Sequence, residues 1–345
     1  MKQLLLLSAL ILALAVGGCS LPGGISPEVE SASGTFFAMN TYLQFTAYGE
    51  NADEGLSAAQ ARIKELEKLW SVTEEGSDIY AANHSDGTAV LLHQDTADLV
   101  GFALEMAEET DGALDPTIYP ILTAWGFTTD EKRIPSRQEL ESLQAQVGYE
   151  RVLLDGVSLT LPAQMQLDLG AVGKGFAGDL AAEVLWEYGI TSALLDIGGN
   201  IQAVGSRPDG SDWRLALRNP LGEGSLGTLS VSDCAVVTSG SYENYFEQDG
   251  KRYGHILDPD TGYPVENGLL SVTVIAKQGK LCDALSTALF VMGKEQAVRY
   301  WEDHQNFEML LVTEAGEIFL TPGIIDCFSL SGDFQTMPVY HLSQP

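Results

Sequence analysis

Hydrophobic positions recur along the chain with two spacings, and each spacing predicts one kind of element. Apolar side chains three or four positions apart predict helices at residues 55–70, 98–110, 137–146, 175–188 and 283–292. Alternation predicts strands at 41–48, 151–154, 158–161, 165–169, 192–197, 201–204, 213–217, 227–231, 235–238, 270–276, 308–313 and 317–320. The strands come in runs with hairpin-sized gaps, one of them at Gly198-Gly199-Asn200. The pattern predicts an α+β fold of mostly antiparallel sheets with packed helices, in a single domain of one or two lobes.

The N-terminus has a different pattern from the rest of the chain. Lys2 precedes an apolar run at residues 4–16, which is short for a membrane span and typical of a secretion signal. The run ends in Val16-Gly17-Gly18-Cys19, and small residues before a single cysteine are typical of a bacterial lipoprotein signal. The alternative is a transmembrane anchor with an incidental cysteine.

We therefore expect three segments along the chain. Residues 1–18 form a cleaved signal peptide, and Cys19 carries the lipid, a palmitate among its acyl groups. Residues 19–34 are rich in Gly, Pro, Ser and Glu and form a flexible tether. Residues 35–345 form the folded domain. The mature protein is then anchored by lipid at the cell membrane and faces outside the cytoplasm.

Charge narrows the classes of ligand. The chain has 345 residues, with 48 acidic against 18 basic side chains and a formal net charge of −30. This excludes the basic surface that nucleic-acid binding requires, so we expect no nucleic-acid partner. An anionic ligand must be neutralised locally, by a metal ion or by backbone amides. The remaining cysteines, Cys234, Cys282 and Cys327, are widely spaced and predict neither a disulfide framework nor a zinc site.

A glycine-rich turn at residues 170–175 (Gly-Ala-Val-Gly-Lys-Gly) lies between a predicted strand and a predicted helix. Backbone amides at such a helix start can bind phosphate. The spacing matches neither the Walker A loop nor the dinucleotide fingerprint, and on spacing alone a tight strand-to-helix connection is the commoner interpretation. Asp168, just before the turn, can accept hydrogen bonds from a ligand or cap the turn.

Asp283 and Thr287 are four residues apart on a predicted helix and therefore share one face. A carboxylate and a hydroxyl are oxygen ligands suited to Mg²⁺, which leaves coordination positions open for phosphate oxygens. The alternative is ordinary N-capping, because the predicted helix begins at Asp283.

His255 precedes an Asp258-Pro259 turn, and side chains in such turns reach into clefts. Histidine suits proton transfer near neutral pH, although this context alone slightly favours a hydrogen-bonded turn histidine. The turn predicted at Thr238-Ser239-Gly240 is expected to approach it. The other histidines are expected on the surface, at His84, His93, His304 and His341.

A further turn follows the second predicted helix, at Gly112-Ala113-Leu114-Asp115-Pro116-Thr117, with the aromatic residues Trp125 and Phe127 close behind. The aromatic side chains can stack on a planar ring or fill a core beneath the loop.

Together and in this order, the motifs resemble the ApbE-type FAD:protein FMN transferase family. The resemblance covers nearly the whole domain and rests on Met39-Asn40-Thr41, 112–117, 167–175, Asp196-Ile197-Gly198-Gly199-Asn200, Thr238-Ser239-Gly240, 255–259 and 283–287. It implies a phosphoryl-type transferase that binds FAD with Mg²⁺, transfers FMN to a threonine hydroxyl of an acceptor flavoprotein and releases AMP. The acceptors it implies are subunits of Rnf-type and sodium-pumping NADH:quinone reductase complexes.

The resemblance also implies residue roles. The Mg²⁺ ligands are the backbone carbonyl of Ala171 and the side chains of Asp283 and Thr287. His255 lies near the transferred phosphate. The FAD contacts are Met39, Ala113, Leu114, Asp115, Asp168, Lys174 and Ile256. Asn40 and Cys282 stand where many members have glycine and alanine.

Two alternatives stay open at the sequence level. The protein could hydrolyse FAD to FMN and AMP, or it could be a non-catalytic, lipid-anchored flavin-binding or solute-binding protein. A binding protein has no use for both a metal site and a positioned histidine, so Asp283, Thr287 and His255 together favour an enzyme.

Overall fold

The structure is a computed structural model that describes residues 29–129 and 131–343. The predictions for the signal peptide, for Cys19 and for most of the tether lie outside these residues. In the described part of the chain, no helix is long and apolar enough to cross a membrane.

Eight α-helices are formed by the described residues. They are α1 (Ala52–Trp70), α2 (Asp78–Asn83), α3 (Gln94–Glu109), α4 (Tyr119–Trp125), α5 (Arg137–Gln144), α6 (Gly173–Glu187), α7 (Gly279–Met292) and α8 (Lys294–His304). The strands are β1 (Ser31–Ala38), β2 (Thr41–Tyr48), β3 (Val90–Leu91), β4 (Leu153–Asp155), β5 (Ser158–Thr160), β6 (Ser192–Ile197), β7 (Asn200–Val204), β8 (Trp213–Arg218), β9 (Ser225–Val231), β10 (Cys234–Gly240), β11 (Tyr245–Gln248), β12 (Lys251–Gly254), β13 (Leu269–Ala276), β14 (Glu308–Thr313), β15 (Ile318–Leu320), β16 (Phe328–Leu330) and β17 (Val339–His341).

A nine-stranded sheet organises the domain, in the order β1-β2-β6-β7-β10-β13-β14-β15-β17. All its strand pairs are antiparallel except β15 with β17. Smaller sheets are formed by β16-β9-β8, by β3-β5-β4 and by the hairpin β11-β12. The prediction of an α+β fold with mostly antiparallel sheets is confirmed.

The two faces of the large sheet bury different layers. One face packs against α1, α6 and α7 in the largest apolar core. The other face packs against the β8-β9-β16 sheet through a second core around Trp213 and Leu229. A third cluster, around Trp125, lies under α4 and α5. Alternate residues of the central strands serve both cores because successive side chains point to opposite faces.

Two predicted boundaries near the N-terminus and before the glycine turn need correction. Strand β1 begins at Ser31 and pairs with β2 over its whole length, so residues 31–34 belong to the sheet and not to a tether. The segment 165–169 is extended but is not a strand. The Asn83 side chain donates to the Leu167 carbonyl (2.9 Å) and accepts from the Leu167 amide (2.7 Å), and so it takes the place of a neighbouring strand.

Three features close to the predicted site also differ from expectation. Helix α7 begins at Gly279, so Asp283 lies in its second turn and is not an N-cap. Thr238-Ser239-Gly240 ends strand β10 and does not form a turn. The polar stretch after it folds as the β11-β12 hairpin. The predicted hairpin at Gly198-Gly199 is confirmed, with Ile197 paired to Asn200.

Candidate active site

One cavity, of about 210 Å³, lies where the loop after α3, the start of α6, the end of β10 and the face of α7 meet. It brings together ten of the predicted site residues, which are Ala113, Leu114, Asp115, Asp168, Ala171, Lys174, His255, Ile256, Asp283 and Thr287. Their roles remain predictions, but their separation along the chain makes the convergence specific.

Met39 does not line this cavity. It lies in the turn between β1 and β2 with a φ of 50°, and its amide donates to Glu67 Oε1 at 2.5 Å. The turn stands beside the hairpin loop at Gly198, where an added Cβ would lie 2.5 Å from the Thr41 side chain.

Asp115 holds the loop after α3 in shape. Its Oδ1 accepts hydrogen bonds from the amide (2.8 Å) and the hydroxyl (2.6 Å) of Thr117, and its Oδ2 accepts from the Tyr149 amide (3.2 Å). Burial raises the pKa of Asp115, although these hydrogen bonds oppose the rise. Because both oxygens serve the loop, Asp115 presents the neighbouring Ala113 and Leu114 to the cavity.

The glycine turn runs from Asp168 into α6. Asp168 Oδ1 accepts from the Gly170 amide at 2.8 Å, an Asx-type turn that shapes the entry to the helix. Desolvation raises the pKa of Asp168. Lys174 is the second residue of α6 and lines the cavity. The backbone amides that are predicted to bind phosphate and the positive charge of Lys174 therefore lie at the same helix start.

Asp283 is buried, with 4% of its surface exposed. Its Oδ2 accepts a hydrogen bond from the Gly175 amide at 2.8 Å, which joins α7 to the first turn of α6. Burial raises the pKa of Asp283, and the charge of Lys174 opposes this rise. The carboxylate therefore lies in a place where a further cation would stabilise its ionised form.

Ser239 connects strand β10 with the α7 residues that line the cavity. Its hydroxyl lies 2.9 Å from Ser286 Oγ and 3.3 Å from Thr287 Oγ1. Ser286 Oγ in turn donates to the Asp283 carbonyl at 3.0 Å. The sequence predicts that the segment containing Ser239 approaches His255, but it gives no signal for these hydroxyl contacts. The contacts depend on the packing of β10 against α7, which no local pattern encodes.

His255 directly follows strand β12, and its Nδ1 lies 3.1 Å from the Asn244 carbonyl oxygen. A carbonyl only accepts, so Nδ1 carries the proton in the neutral ring and Nε2 has a free lone pair. Desolvation lowers the pKa of His255 to about 4, with Lys174 and Lys132 acting in the same direction. The ring is therefore neutral at physiological pH. The other four histidines are exposed, as predicted.

Two further carboxylates belong to this charge cluster, of which the sequence analysis named Asp196 without a role and did not name Glu243. Glu243 lines the cavity from the turn after β10, and Asp196, in β6, accepts from the Gly199 amide at 2.8 Å. Desolvation raises the pKa of both groups, and Lys174 opposes the rise in each. Glu243 lies in the polar stretch after β10, which has no hydrophobic periodicity that would single it out.

The residues present fit a hard divalent cation. Asp283, Thr287 and Ala171 line the same cavity and carry a carboxylate, a hydroxyl and a backbone carbonyl oxygen. The Asp283 carboxylate accepts from the Gly175 amide through Oδ2, and the Asn200 side chain and the Lys174 amide also stabilise its ionised form. Within the described residues, no group of three or more His, Cys, Asp or Glu side chains is arranged to hold a metal. Mg²⁺ is held by few protein groups and keeps positions for ligand oxygens, and the three oxygen donors here suit such a site.

The aromatic cluster behind the cavity is a core, with one edge toward His255. Trp125 contacts Phe127, Phe246 and Tyr253, with ring centroids 5.5–6.4 Å apart. Phe127 meets the His255 ring edge-on at 6.4 Å. Trp125 Nε1 donates to the Gly262 carbonyl at 2.8 Å, which fixes the Asp258-Pro259 turn. Of the two interpretations of this cluster, core packing is the one that these contacts support.

Comparison with known proteins assigns the chain and its fold to one family. The sequence model of the ApbE family matches residues 39–311, and the chain belongs to this family. A relative from Treponema pallidum named FAD:protein FMN transferase is 31% identical, over 90% of this chain and 91% of its own. A relative of the same name from Haemophilus influenzae is 29% identical, over 91% and 93%. The crystal structure of the ApbE protein from Thermotoga maritima superposes with a TM-score of 0.79 at 32% identity, covering 89% of this chain and 99% of that one.

Proposed function

We propose that this protein is an FAD:protein FMN transferase, which moves FMN from FAD to a threonine hydroxyl of an acceptor flavoprotein and releases AMP. The observation that carries the proposal is the convergence of Ala171, His255 and the α7 pair Asp283 and Thr287 on one cavity from three separate parts of the chain. Membership of a family whose curated relatives carry this name supports the same conclusion.

FAD is the substrate, and the residues that hold it lie around the cavity. Ala113, Leu114 and Ile256 supply its apolar walls, and Asp168 and Asp115 supply its acidic rim. Lys174 and the amides at the start of α6 face the pyrophosphate, because a chain of net charge −30 must neutralise that anion locally. Met39 lies in the β1-β2 turn, outside the cavity, and it contacts FAD where the substrate extends beyond the cavity.

The cation is Mg²⁺, held by Asp283, Thr287 and the Ala171 carbonyl. When bound, it neutralises charge on the pyrophosphate oxygens and on the leaving AMP. The protein's contribution is to fix these three oxygens on α7 and on the α6 turn, which the Gly175–Asp283 hydrogen bond ties together.

His255 is the proton acceptor for the transfer step. The threonine oxygen forms a bond to the FMN phosphorus, and the bond from that phosphorus to the bridging oxygen breaks. The bridging oxygen leaves with AMP and keeps the electron pair, while the hydroxyl proton passes to Nε2 of His255. Burial keeps the ring neutral, and the Asn244 carbonyl fixes the tautomer that leaves Nε2 free.

We further propose that the mature protein is a lipoprotein, attached through Cys19 to the cell membrane and facing outside the cytoplasm. The acceptors are flavin-carrying subunits of Rnf-type or sodium-pumping NADH:quinone reductase complexes. The signal-like N-terminus supports this location.

The test is to incubate the full chain with FAD and Mg²⁺, with and without an acceptor subunit of a sodium-pumping NADH:quinone reductase. AMP, free FMN and protein-bound flavin are measured together. The proposal predicts bound flavin and AMP in equal amounts, only when acceptor and metal are both present. Free FMN with no bound flavin would show an FAD hydrolase, and tight FAD binding without AMP would show a flavin-binding protein.

A further inference from the structure

Two amide side chains occupy core-facing positions of strand β7, where apolar residues would normally stand. Asn200 and Gln202 lie on the same face of the strand as Val204, which belongs to the largest core, while Ile201 and Ala203 face the second core. Both amides are buried, each with 6% of its surface exposed. Burying an amide is unfavourable unless its polar atoms are paired, so the contacts of these two side chains decide what they contribute.

Neither amide is fully paired within the described residues. Asn200 Nδ2 and Gln202 Oε1 are enclosed, and neither atom has a hydrogen-bond partner. An enclosed donor or acceptor without a partner costs about 1–3 kcal/mol of stability. The two side chains share strand, face and degree of burial, so they differ mainly in the part of the protein that each one meets.

Asn200 lines the active-site cavity, and Gln202 does not. Gln202 Oε1 lies at the crossing of α6 with α7, where a Cβ added to Gly279 would lie 2.9 Å from it. From there Asn200 is two strand residues away, about 7 Å, and Asp283 is one helical turn beyond Gly279, about 6 Å. Both steps lead to the cavity, so they bring Asn200 opposite Asp283. The Asn200 side chain accordingly opposes the rise in the pKa of Asp283 that burial causes.

The hairpin turn before Asn200 fixes its position. Gly198 and Gly199 both have positive φ, of 63° and 99°, and Ile197 pairs with Asn200 across the turn. The Gly199 amide donates to Asp196 Oδ1 at 2.8 Å. Strand β7 therefore starts from a closed turn, and the backbone that carries Asn200 is held at the cavity by these contacts.

We propose that Asn200 is a positioning residue of the metal site, which donates a hydrogen bond from Nδ2 to the carboxylate of Asp283 when that carboxylate ligates the cation. The inference rests on the metal site of the proposed function. An N–H group cannot ligate a cation, but it can hold a carboxylate that does, and the Gly175 amide already holds this carboxylate from α6. Hydrogen-bond partners of metal ligands typically contribute about 10–100-fold to metal affinity.

Mg²⁺ titrations of the full chain without FAD test this role through the rise in Tm. Asn200→Leu replaces the amide by an apolar group of nearly the same shape, and Gln202→Met is the matched change two residues along the strand. Asp283→Asn measures the part of the rise that comes from general screening of a chain of net charge −30. We expect half-maximal stabilisation of Asn200→Leu to need an Mg²⁺ concentration about 10–100-fold higher, and that of Gln202→Met to be unchanged.

Stability without metal separates positioning from a structural role. Asn200→Leu removes an unpaired donor from the core, so it should resist urea at least as well as wild type. A residue with only a structural role would lose stability and Mg²⁺ affinity together. At saturating Mg²⁺, flavin transfer by Asn200→Leu should approach the wild-type rate, because the substitution acts on metal affinity.

The outcomes that overturn the proposal are distinct from those that overturn the proposed function. Unchanged Mg²⁺ affinity in Asn200→Leu, or an equal loss in Gln202→Met, shows that Asn200 does not position the ligand. Asn200→Ala replaces the leucine variant if that one misfolds, and misfolding of both assigns Asn200 to the fold and overturns the proposal.

Wild type itself provides the remaining distinction. If wild type and Asp283→Asn respond alike to Mg²⁺, the metal site is wrong and the inference fails with it. If wild type binds Mg²⁺ and FAD but transfers no flavin to an acceptor subunit of a sodium-pumping NADH:quinone reductase, the proposed function fails. The titration of Asn200→Leu then still decides whether Asn200 supports metal binding.

Discussion

The Gly175 amide donates a hydrogen bond to Asp283 Oδ2 at 2.8 Å, and this contact joins the first turn of α6 to the second turn of α7. The helices can approach so closely because both carry glycine at the crossing. A Cβ on Gly175 would lie 2.1 Å from the Gly279 carbonyl oxygen, and one on Gly279 would lie 2.6 Å from the Gly175 carbonyl oxygen. The glycine turn and Asp283, the proposed metal ligand, are therefore held together by this close crossing of α6 and α7.

Gly175→Ala should separate the two helices and weaken both folding and metal binding. Forcing a methyl group into this contact should cost about 1–3 kcal/mol in the free energy of unfolding. Gly173→Ala is the control, because its Cβ meets nothing closer than Trp70 at 3.9 Å. Urea unfolding and the Mg²⁺-induced rise in Tm measure the two effects. Equal stability of the two variants would show that the helix crossing tolerates a methyl group.

Ser239→Ala should weaken metal binding while the fold persists. The substitution removes the hydroxyl that lies 3.3 Å from Thr287 Oγ1 and leaves that proposed ligand free to rotate. We expect the Mg²⁺ concentration needed for half-maximal stabilisation of the protein to rise about tenfold, the effect of one hydrogen bond. Thr273→Val is the control, because it breaks the 2.8 Å contact with Thr238 elsewhere in the same strand pair. A similar change in both variants would indicate a general loosening of β10.

His255→Ala should lower the rate of flavin transfer by about 10²–10⁴-fold and change FAD affinity little. The free Nε2 is the only part of the ring that the transfer step uses, and most FAD contacts lie elsewhere. His84→Ala, at an exposed site, is the control. Single-turnover transfer and FAD titration on the same variant separate the two effects. Lost binding with a normal rate at saturating FAD would assign His255 to substrate binding.

The pH dependence of transfer gives a second check on His255. Because its pKa is lowered to about 4, the imidazole is already neutral at pH 6 and stays so at higher pH. The kcat/KM profile of the free enzyme should therefore show no inflection from His255 between about pH 5 and 7. An inflection near the ordinary value of 6.5 that disappears in His255→Gln would contradict this assignment.

The free energy of unfolding should fall as the pH rises through about 6, because Asp179 loses its proton there. This side chain in α6 caps α7 by accepting from the amides of Gly279 (2.6 Å) and Lys280 (2.9 Å), and burial raises its pKa from 3.8 to about 6. The native state therefore holds the proton of Asp179 more tightly than the unfolded state does. The resulting stabilisation of the native state is complete below pH 3.8 and is lost as the pH rises through about 6. Urea unfolding of wild type and Asp179→Asn between about pH 4 and 7 measures it. Parallel profiles would contradict the expectation.

The sequence predicts the bounds of strands and helices most accurately where the local pattern of hydrophobic residues determines them. Strands β2 (Thr41–Tyr48) and β6 (Ser192–Ile197) have the predicted bounds, because buried and less buried positions alternate along them. Strand β1 was missed because Ser-Ala-Ser-Gly-Thr is polar and belongs to a sheet edge. Helix α8 was missed because only Ala297 and Trp301 are buried along its length.

The sequence predicts which residues belong to the candidate site, from their types and their order along the chain. It does not predict the contacts between them. Asp283 and Thr287 were found as a pair on one helix face, yet the capping alternative could be removed only by a structure in which α7 starts at Gly279. The hydroxyl contact of Ser239 and the cavity position of Glu243 depend on how distant segments meet. Neither has a signature along the chain.

The most direct test of the proposed function is mass spectrometry of the acceptor protein after reaction with FAD and Mg²⁺. Wild type and Asp283→Asn are compared, since asparagine keeps an oxygen that can accept from Gly175 but loses the charge that a cation requires. We predict that wild type adds one FMN to a threonine of the acceptor and releases one AMP, and that Asp283→Asn, still folded, adds none. Unmodified acceptor with the wild-type enzyme, or equal modification by both proteins, would contradict the account.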